Sequence, residues 1–276
     1  MFILAIETTG PYGSVALLDE KGNVLGYQVS RGTMSHLKDL IPMVDTVLKK
    51  CGVSKNEIDL LAPSVGPGSF TGIRIGVSTA RALCQALGIK AVPVPALEAF
   101  CFKETALREA TQNYCGQAAE AACGRTSEAA CGKTAVCAII NARRGQVYGM
   151  IDGFMEPGPY MLTDVLHVYK EEMEPLGYKI LFFGDGIDAY EKDIVEALGT
   201  SGSEQEPCFE FAPKEDRYQD AVSVGRWAVE RIRQTSGLDG CIVDFELLLP
   251  NYMRRAEAEQ KLESGELPIC KGPKQE

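Results

Sequence analysis

The chain has 276 residues, of which 45% are hydrophobic and 24% charged, a composition that supports a packed core and excludes a disordered chain. At ~100–200 residues per domain, the length fits one large domain or two small ones. With 28 Lys and Arg against 38 Asp and Glu the net charge is −10, which argues against nucleic-acid binding by the chain as a whole and leaves room only for a local basic patch.

The opening Met-Phe-Ile-Leu-Ala-Ile-Glu lacks a basic leader and reads as a strand. Phe2–Ile6, Ser14–Leu18 and Val24–Val29 predict an antiparallel meander, because their connections are too short for a helical crossover. Leu37, Leu40, Ile41, Val44, Leu48 and Cys51 recur at helical steps up to Gly52, with Pro42 expected to kink the helix. Ser54–Glu57 has capping-box form. Ile58–Val65 reads as a strand, Ile73–Leu87 as a helix stopped by Gly88, and Ile89–Val94 as another strand. Beyond these, Val136–Asn141 and Gln146–Ile151 predict a hairpin around Ala142–Gly145. Thr163-Asp164 opens a helix to about Met173, Lys179–Phe183 is a strand, and a helix then runs to Leu198. Asp220–Gln234 is amphipathic, and the tail after Pro250 is polar and charged. The expected division is a first lobe at 1–103, an insertion at 104–133, a second lobe at 134–219, and a C-terminal helix, strand and tail at 220–276.

Ten cysteines form no C-x-x-C pair, so a zinc site of close pairs is not expected and the reading is of free thiols in a reduced, cytoplasmic setting. Three of them, Cys115, Cys123 and Cys131, each precede a glycine at eight-residue intervals. That interval turns a helix about 80° past two turns, so they share no helical face, and the segment reads as a low-complexity surface insertion. No run of ~18 apolar residues predicts a membrane span.

Three motifs are candidates for anion contact. Glu7-Thr8-Thr9-Gly10, between two strands, can present backbone N–H groups to phosphate. Gly66–Gly76 (Gly-Pro-Gly-Ser-Phe-Thr-Gly-Ile-Arg-Ile-Gly) joins a strand to a helix whose start and Arg74 favour an anion, while a structural turn is the reading the pattern favours over phosphate binding. Gly184-Asp185-Gly186 follows an apolar strand and is either a nucleotide contact or a plain turn. Gly132-Lys133-Thr134 has a P-loop ending, but Ser127 stands where the first glycine belongs. The two histidines, His36 and His167, are too far apart in sequence to form a helical metal pair. His36 is expected at a helix cap or interface and His167 in a structural role, and no metal ligand is assigned.

The opening Ile-Leu-Ala-Ile-Glu-Thr-Thr, the segment Ser35–Pro42 and the glycine loop Gly66–Gly76 resemble the TsaB (YeaZ) family. So do Asn141–Tyr148, Gly184–Gly186 and Pro250–Arg254, in order along the chain. The resemblance implies an α/β fold of two lobes of the actin, Hsp70 and sugar-kinase type (ASKHA). It implies a non-catalytic scaffold that pairs with TsaD, beside the ATPase TsaE, in forming threonylcarbamoyladenosine at position 37 of tRNA. Contact with tRNA would then be indirect. No cofactor would be required of this subunit, the complex could hold ATP or ADP, and the isolated chain could form a homodimer. TsaD-type proteins carry an H-x-x-x-H metal pair, which this chain lacks. Many TsaB relatives have Asp where Glu7 and Asn141 stand, and the family pattern says nothing about the 104–133 insertion. The implied partner surface takes in His36, Leu37, Leu40, Ile41 and Val44 on the first helix and Arg74, Ile75, Thr79 and Leu83 on the second. The competing expectation is an ATP-hydrolysing or phosphotransfer enzyme of the same fold, with Glu7 as its carboxylate. A metallopeptidase is opposed by the two scattered histidines.

Overall fold

The computed structural model describes residues 1–30, 32, 36–103, 134–199, 209–235 and 240–253. The Cys-Gly repeats of the insertion, the polar stretch near residue 201 and the tail beyond 253 lie outside the described residues.

The first lobe opens with β1 (Phe2–Glu7), β2 (Ser14–Asp19) and β3 (Val24–Val29), an antiparallel meander. The Asp19 carboxylate makes the second turn by accepting the N–H groups of Lys21 and Asn23 at 2.8 and 2.9 Å. Next come α1 (His36–Cys51), β4 (Leu60–Gly66), α2 (Phe70–Leu87), β5 (Lys90–Ala91) and β6 (Val94–Pro95). The sheet order is β3-β2-β1-β4-β5, with β4 parallel to β1 and β6 also paired to β4. Both faces of β1 are covered, which is why its sequence is apolar without alternation. Leu4 and Ile6 pack with the α1 and α2 residues Val47 and Val77, and Ile3 and Ala5 pack on the opposite face.

The second lobe repeats this topology. Strands β7 (Thr134–Arg143), β8 (Gln146–Ile151) and β9 (Met155–Met161) form a meander. They are followed by α4 (Leu162–Val168), reached after the linking α3 (Ala96–Ala99), then β10 (Lys179–Phe183), α5 (Gly186–Leu198) and β11 (Phe209–Phe211). The order β9-β8-β7-β10-β11, with β10 and β11 parallel to β7, matches the first sheet strand for strand. Two mixed sheets of one topology are the duplicated two-lobed arrangement that the family resemblance implies.

The lobes meet at α3 and the single turn after it, where Leu97 and Phe100 pack with Ile140, Met150 and Phe183 of the second sheet. The chain then returns through α6 (Ala221–Gln234), which lies on β1 and β2 of the first sheet. Gly225 permits that approach, since a Cβ there would run into the Leu18 side chain. Thus α6 belongs structurally to the first lobe. Val243, Phe245 and Leu248 pack in the first core as well, whereas Met253 packs against the cluster of α3 and the second sheet.

Several element boundaries differ from the sequence expectation. Helix α1 is continuous through Pro42. Helix α2 starts at Phe70, three residues early, because Ser69 caps it by accepting the Gly72 N–H at 3.2 Å. Strand 89–94 is split into β5 and β6. Strand β9 carries Pro157 and Pro159, which demote it by pattern, and it survives because it is an edge. Helix α4 stops at Val168 and passes into a wider turn over Tyr169–Met173. Among the described residues of the C-terminal segment, Val243 forms an isolated antiparallel bridge with Ala91. No described helix is long and apolar enough to cross a membrane.

Candidate functional site

The C-terminal ends of β1, β4 and β7 converge on a cleft of about 850 Å³ between the lobes. Thr9, Gly10 and Asp185 from the candidate motifs line it, as do Gly68 and Ser69 of the glycine loop.

The β1–β2 turn forms one wall. Glu7 is 0% exposed. Its Oε1 accepts the backbone N–H of Thr9 and, at 3.3 Å, that of Gly10. Burial pushes its carboxyl above the usual carboxylate range, outweighing the pull of the Thr9 and Ser64 hydroxyls and the two N–H groups. Its Oε2 and the Ser64 hydroxyl have no well-aligned hydrogen-bond partner, nor does the buried Gln219 amide, which abuts Gly10. The carbonyl side of the turn is also engaged. The Ser69 N–H donates to Thr9 O at 2.8 Å, and Thr8 Oγ1 donates to Gly72 O at 2.8 Å. Glycine is required at Gly68 and Gly72 because a Cβ at either would strike the turn's backbone, Thr9 O or Thr8 O. The glycine loop therefore docks α2 onto the turn. Two of the N–H donors that the motif was expected to offer a phosphate, those of Thr9 and Gly10, are directed at Glu7 as the turn stands.

The second lobe supplies the other wall. Gly184, at φ +100°, and Gly186 lie so close to Ile139 O that a Cβ on either would collide with it. This brings Asp185 onto β7, where its Oδ1 accepts the Asn141 N–H at 2.9 Å. Burial raises the Asp185 carboxyl above its ordinary range. Asn141 Oδ1 accepts the Arg143 N–H at 2.8 Å, and the Gly145 N–H donates to the Tyr190 hydroxyl at 3.1 Å. These bonds hold the β7–β8 turn, in which Arg143 and Arg144 both have positive φ, 66° and 56°.

The C-terminal segment closes the rim. Tyr252 and Phe70 stack with centroids 4.8 Å apart. The Arg74 guanidinium lies 4.0 Å from the Phe70 centroid, and its Nε donates to the Tyr252 hydroxyl at 3.1 Å. No residue pattern gave Phe70, Tyr252, Arg143, Arg144 or Gln219 a role. The sequence marks Arg143 and Arg144 as a hairpin turn inside a family-like stretch, and Tyr252 as part of another such stretch.

The expected partner surface is divided by the structure. Leu40, 1% exposed, and Val44 turn inward to the core, so neither is an outward contact of this chain. Ile41, also on α1, is 52% exposed. Ile75 and Leu83 are partly buried against the same core, Thr79 is half-buried and Arg74 is exposed. His36 and Leu37 begin α1, and their side chains lie outside the described residues. His36 and His167 belong to different lobes. Among the described residues, no three His, Cys, Asp or Glu side chains gather as a metal site.

A family model described as TsaD, tRNA N6-adenosine threonylcarbamoyltransferase, matches residues 30–262. The chain is 28% identical to the tRNA threonylcarbamoyladenosine biosynthesis protein TsaB of Bacillus subtilis over 95% of its own length and 97% of that protein. The chain belongs to this family, in its TsaB (YeaZ) branch. The TsaB of Haemophilus influenzae is 33% identical over 39% of the chain and 45% of that protein. Among solved structures, YeaZ from Pseudomonas aeruginosa superposes with a TM-score of 0.61 at 23% identity, over 91% of this chain and 99% of that one. Another solved structure, described as an uncharacterized protein with similarity to peptidase YeaZ from Pseudomonas aeruginosa, gives a TM-score of 0.63 at 23% identity over 92% of this chain and 99% of that one. These two likenesses establish the TsaB-type fold. The names of the relatives establish the pathway, tRNA threonylcarbamoyladenosine biosynthesis, as the setting of the chain.

Proposed function

We propose that this chain is a non-catalytic scaffold in tRNA threonylcarbamoyladenosine formation and pairs with a TsaD-type subunit that carries the chemistry. The state of Glu7 supports the non-catalytic half most directly. A carboxylate that holds magnesium or activates water has to be ionised and to face the cleft. Glu7 is sealed, spends Oε1 on its own turn, and is biased by burial toward its neutral form. The same observation weighs against the ATP-hydrolysing or phosphotransfer alternative.

Pairing is supported by the relatives' shared pathway and by the adjacent helices α1 and α2. Leu40 and Val44 anchor α1 to its sheet, which leaves Ile41 for a partner. A homologous partner has the same helix pair to offer, so a second copy of this chain takes that face when the partner is absent. TsaE joins the paired complex, ATP or ADP binds at the complex, and the acidic chain leaves the body of the tRNA to its partner. The complex works in the cytoplasm. Ile41→Asp tests the pairing: it should abolish co-purification with the TsaD-type subunit at unchanged yield and melting temperature. Undiminished co-purification would overturn the assigned surface.

A further inference from the structure

We propose that the mouth of the interlobe cleft is a contact site for single-stranded RNA, with two guanidinium groups on one rim and an aromatic pair on the other. This goes beyond the scaffold reading and is built from different residues.

Arg143 and Arg144 are exposed, consecutive and left-handed, a conformation that long side chains avoid. It persists because the turn is over-determined by the bonds from Asn141, Asp185 and Tyr190. Backbone strain of this kind collects at functional sites. Here it sets two cations beside the cleft of a chain whose net charge is −10. The one acid among the described lining residues, Asp185, has Oδ1 engaged by the Asn141 N–H.

On the facing rim, Phe70 and Tyr252 are each 38% exposed and stacked on one another, with Arg74 bound to both. Rings presented next to guanidinium groups are the elements with which proteins hold single strands: a base stacks on the ring and phosphates meet the cations. Two features favour a strand over a mononucleotide buried in the cleft. The interior N–H donors of Thr9 and Gly10 are directed at Glu7 and not at the cleft. The cations and rings instead lie at the exposed rim, where a strand crosses from one side to the other.

Fluorescence anisotropy of the full chain with a labelled 12-nucleotide single-stranded RNA tests this. Asn tolerates left-handed backbone, so Arg143→Asn with Arg144→Asn removes both charges and keeps the turn. That variant should bind at least tenfold more weakly. At ~0.7 per phosphate, its slope of log K against log salt should be about 1.4 shallower. Tyr252→Leu should weaken binding about tenfold with the slope unchanged. Lys49→Asn, on α1, should bind as wild type, and melting temperatures should confirm that every variant is folded. Absence of binding by the folded wild-type chain, or variants with wild-type affinity and slope, would overturn the proposal. Displacement of the RNA by ATP at equal affinity would assign the cleft to mononucleotides and overturn it as well. Neither result touches the scaffold reading, which is read out by co-purification.

Discussion

The Lys103 ammonium lies 2.6 Å from Asp220 Oδ2, with the lysine only 3% exposed. Lys103 ends the stretch by which the chain leaves the first lobe, and Asp220 ends the stretch by which it returns. Asp220 also caps α6 by accepting the Ser223 N–H at 2.8 Å, and Asp216 supplies the lysine with a second carboxylate at 3.0 Å. One buried ammonium thus ties the two interlobe crossings together. Lys103→Ala, which leaves two carboxylates facing each other, should lower stability by about 3–5 kcal/mol. Asp220→Ala should be worse than Asp216→Ala by about 1 kcal/mol, the value of the lost cap. Urea unfolding of the three variants measures both.

Glu7 gives a pH signature. Its carboxyl titrates above the value of 4.5 expected in the unfolded chain. The folded state therefore holds its proton longer, and the contribution of the neutral acid is full below 4.5 and lost as pH rises through the raised folded value. Glu7→Gln keeps the oxygen that accepts from Thr9 and Gly10 and cannot ionise. Its melting temperature relative to wild type should climb as pH rises from 4.5. A difference that stays flat with pH would contradict the buried, neutral-biased carboxyl.

The glycine loop makes a prediction that separates packing from phosphate binding. Gly72→Ala drives a methyl into Thr8 O, a backbone atom that α2 itself holds in place. About 3 kcal/mol, the upper end for overpacking, should be lost. Gly88 has φ +67° and open space around it, so Gly88→Ala should cost only about 1–2 kcal/mol. Thermal melts of the two variants decide whether docking onto the β1–β2 turn is what the loop's glycine is for.

Much of the architecture was legible because it rests on local signals. The β1–β3 meander follows from short polar turns between apolar runs, and Lys179–Phe183 is delimited by its own apolar block. Strand β9 was hidden by Pro157 and Pro159, since pattern alone does not reveal that a segment is an edge. The candidate site was less legible for a related reason. Glu7 looks like a catalytic carboxylate in one dimension, and only the fold shows that it turns back onto its own turn. Phe70 and Tyr252 meet across 182 positions of sequence, so no spacing rule could pair them. Leu40 and Ile41 are neighbours in one apolar stripe, yet helical rotation buries the first and exposes the second.

ATP turnover by the isolated chain follows from the same state of Glu7. The purified protein should show no hydrolysis above background, and Glu7→Ala should leave that background unchanged. A robust rate abolished by Glu7→Ala would restore the phosphotransfer reading.

The central claim is that the chain contributes by pairing and not by chemistry. Reconstituted modification of an unmodified tRNA, with the TsaD-type subunit, TsaE and a threonylcarbamoyl-adenylate source, tests it most directly. Threonylcarbamoyladenosine at position 37 should form when this chain is added, fail when it is omitted, and fail with Ile41→Asp in parallel with loss of co-purification. Glu7→Gln should support wild-type yield. Full modification without the chain, or modification lost with Glu7→Gln while pairing is intact, would contradict it.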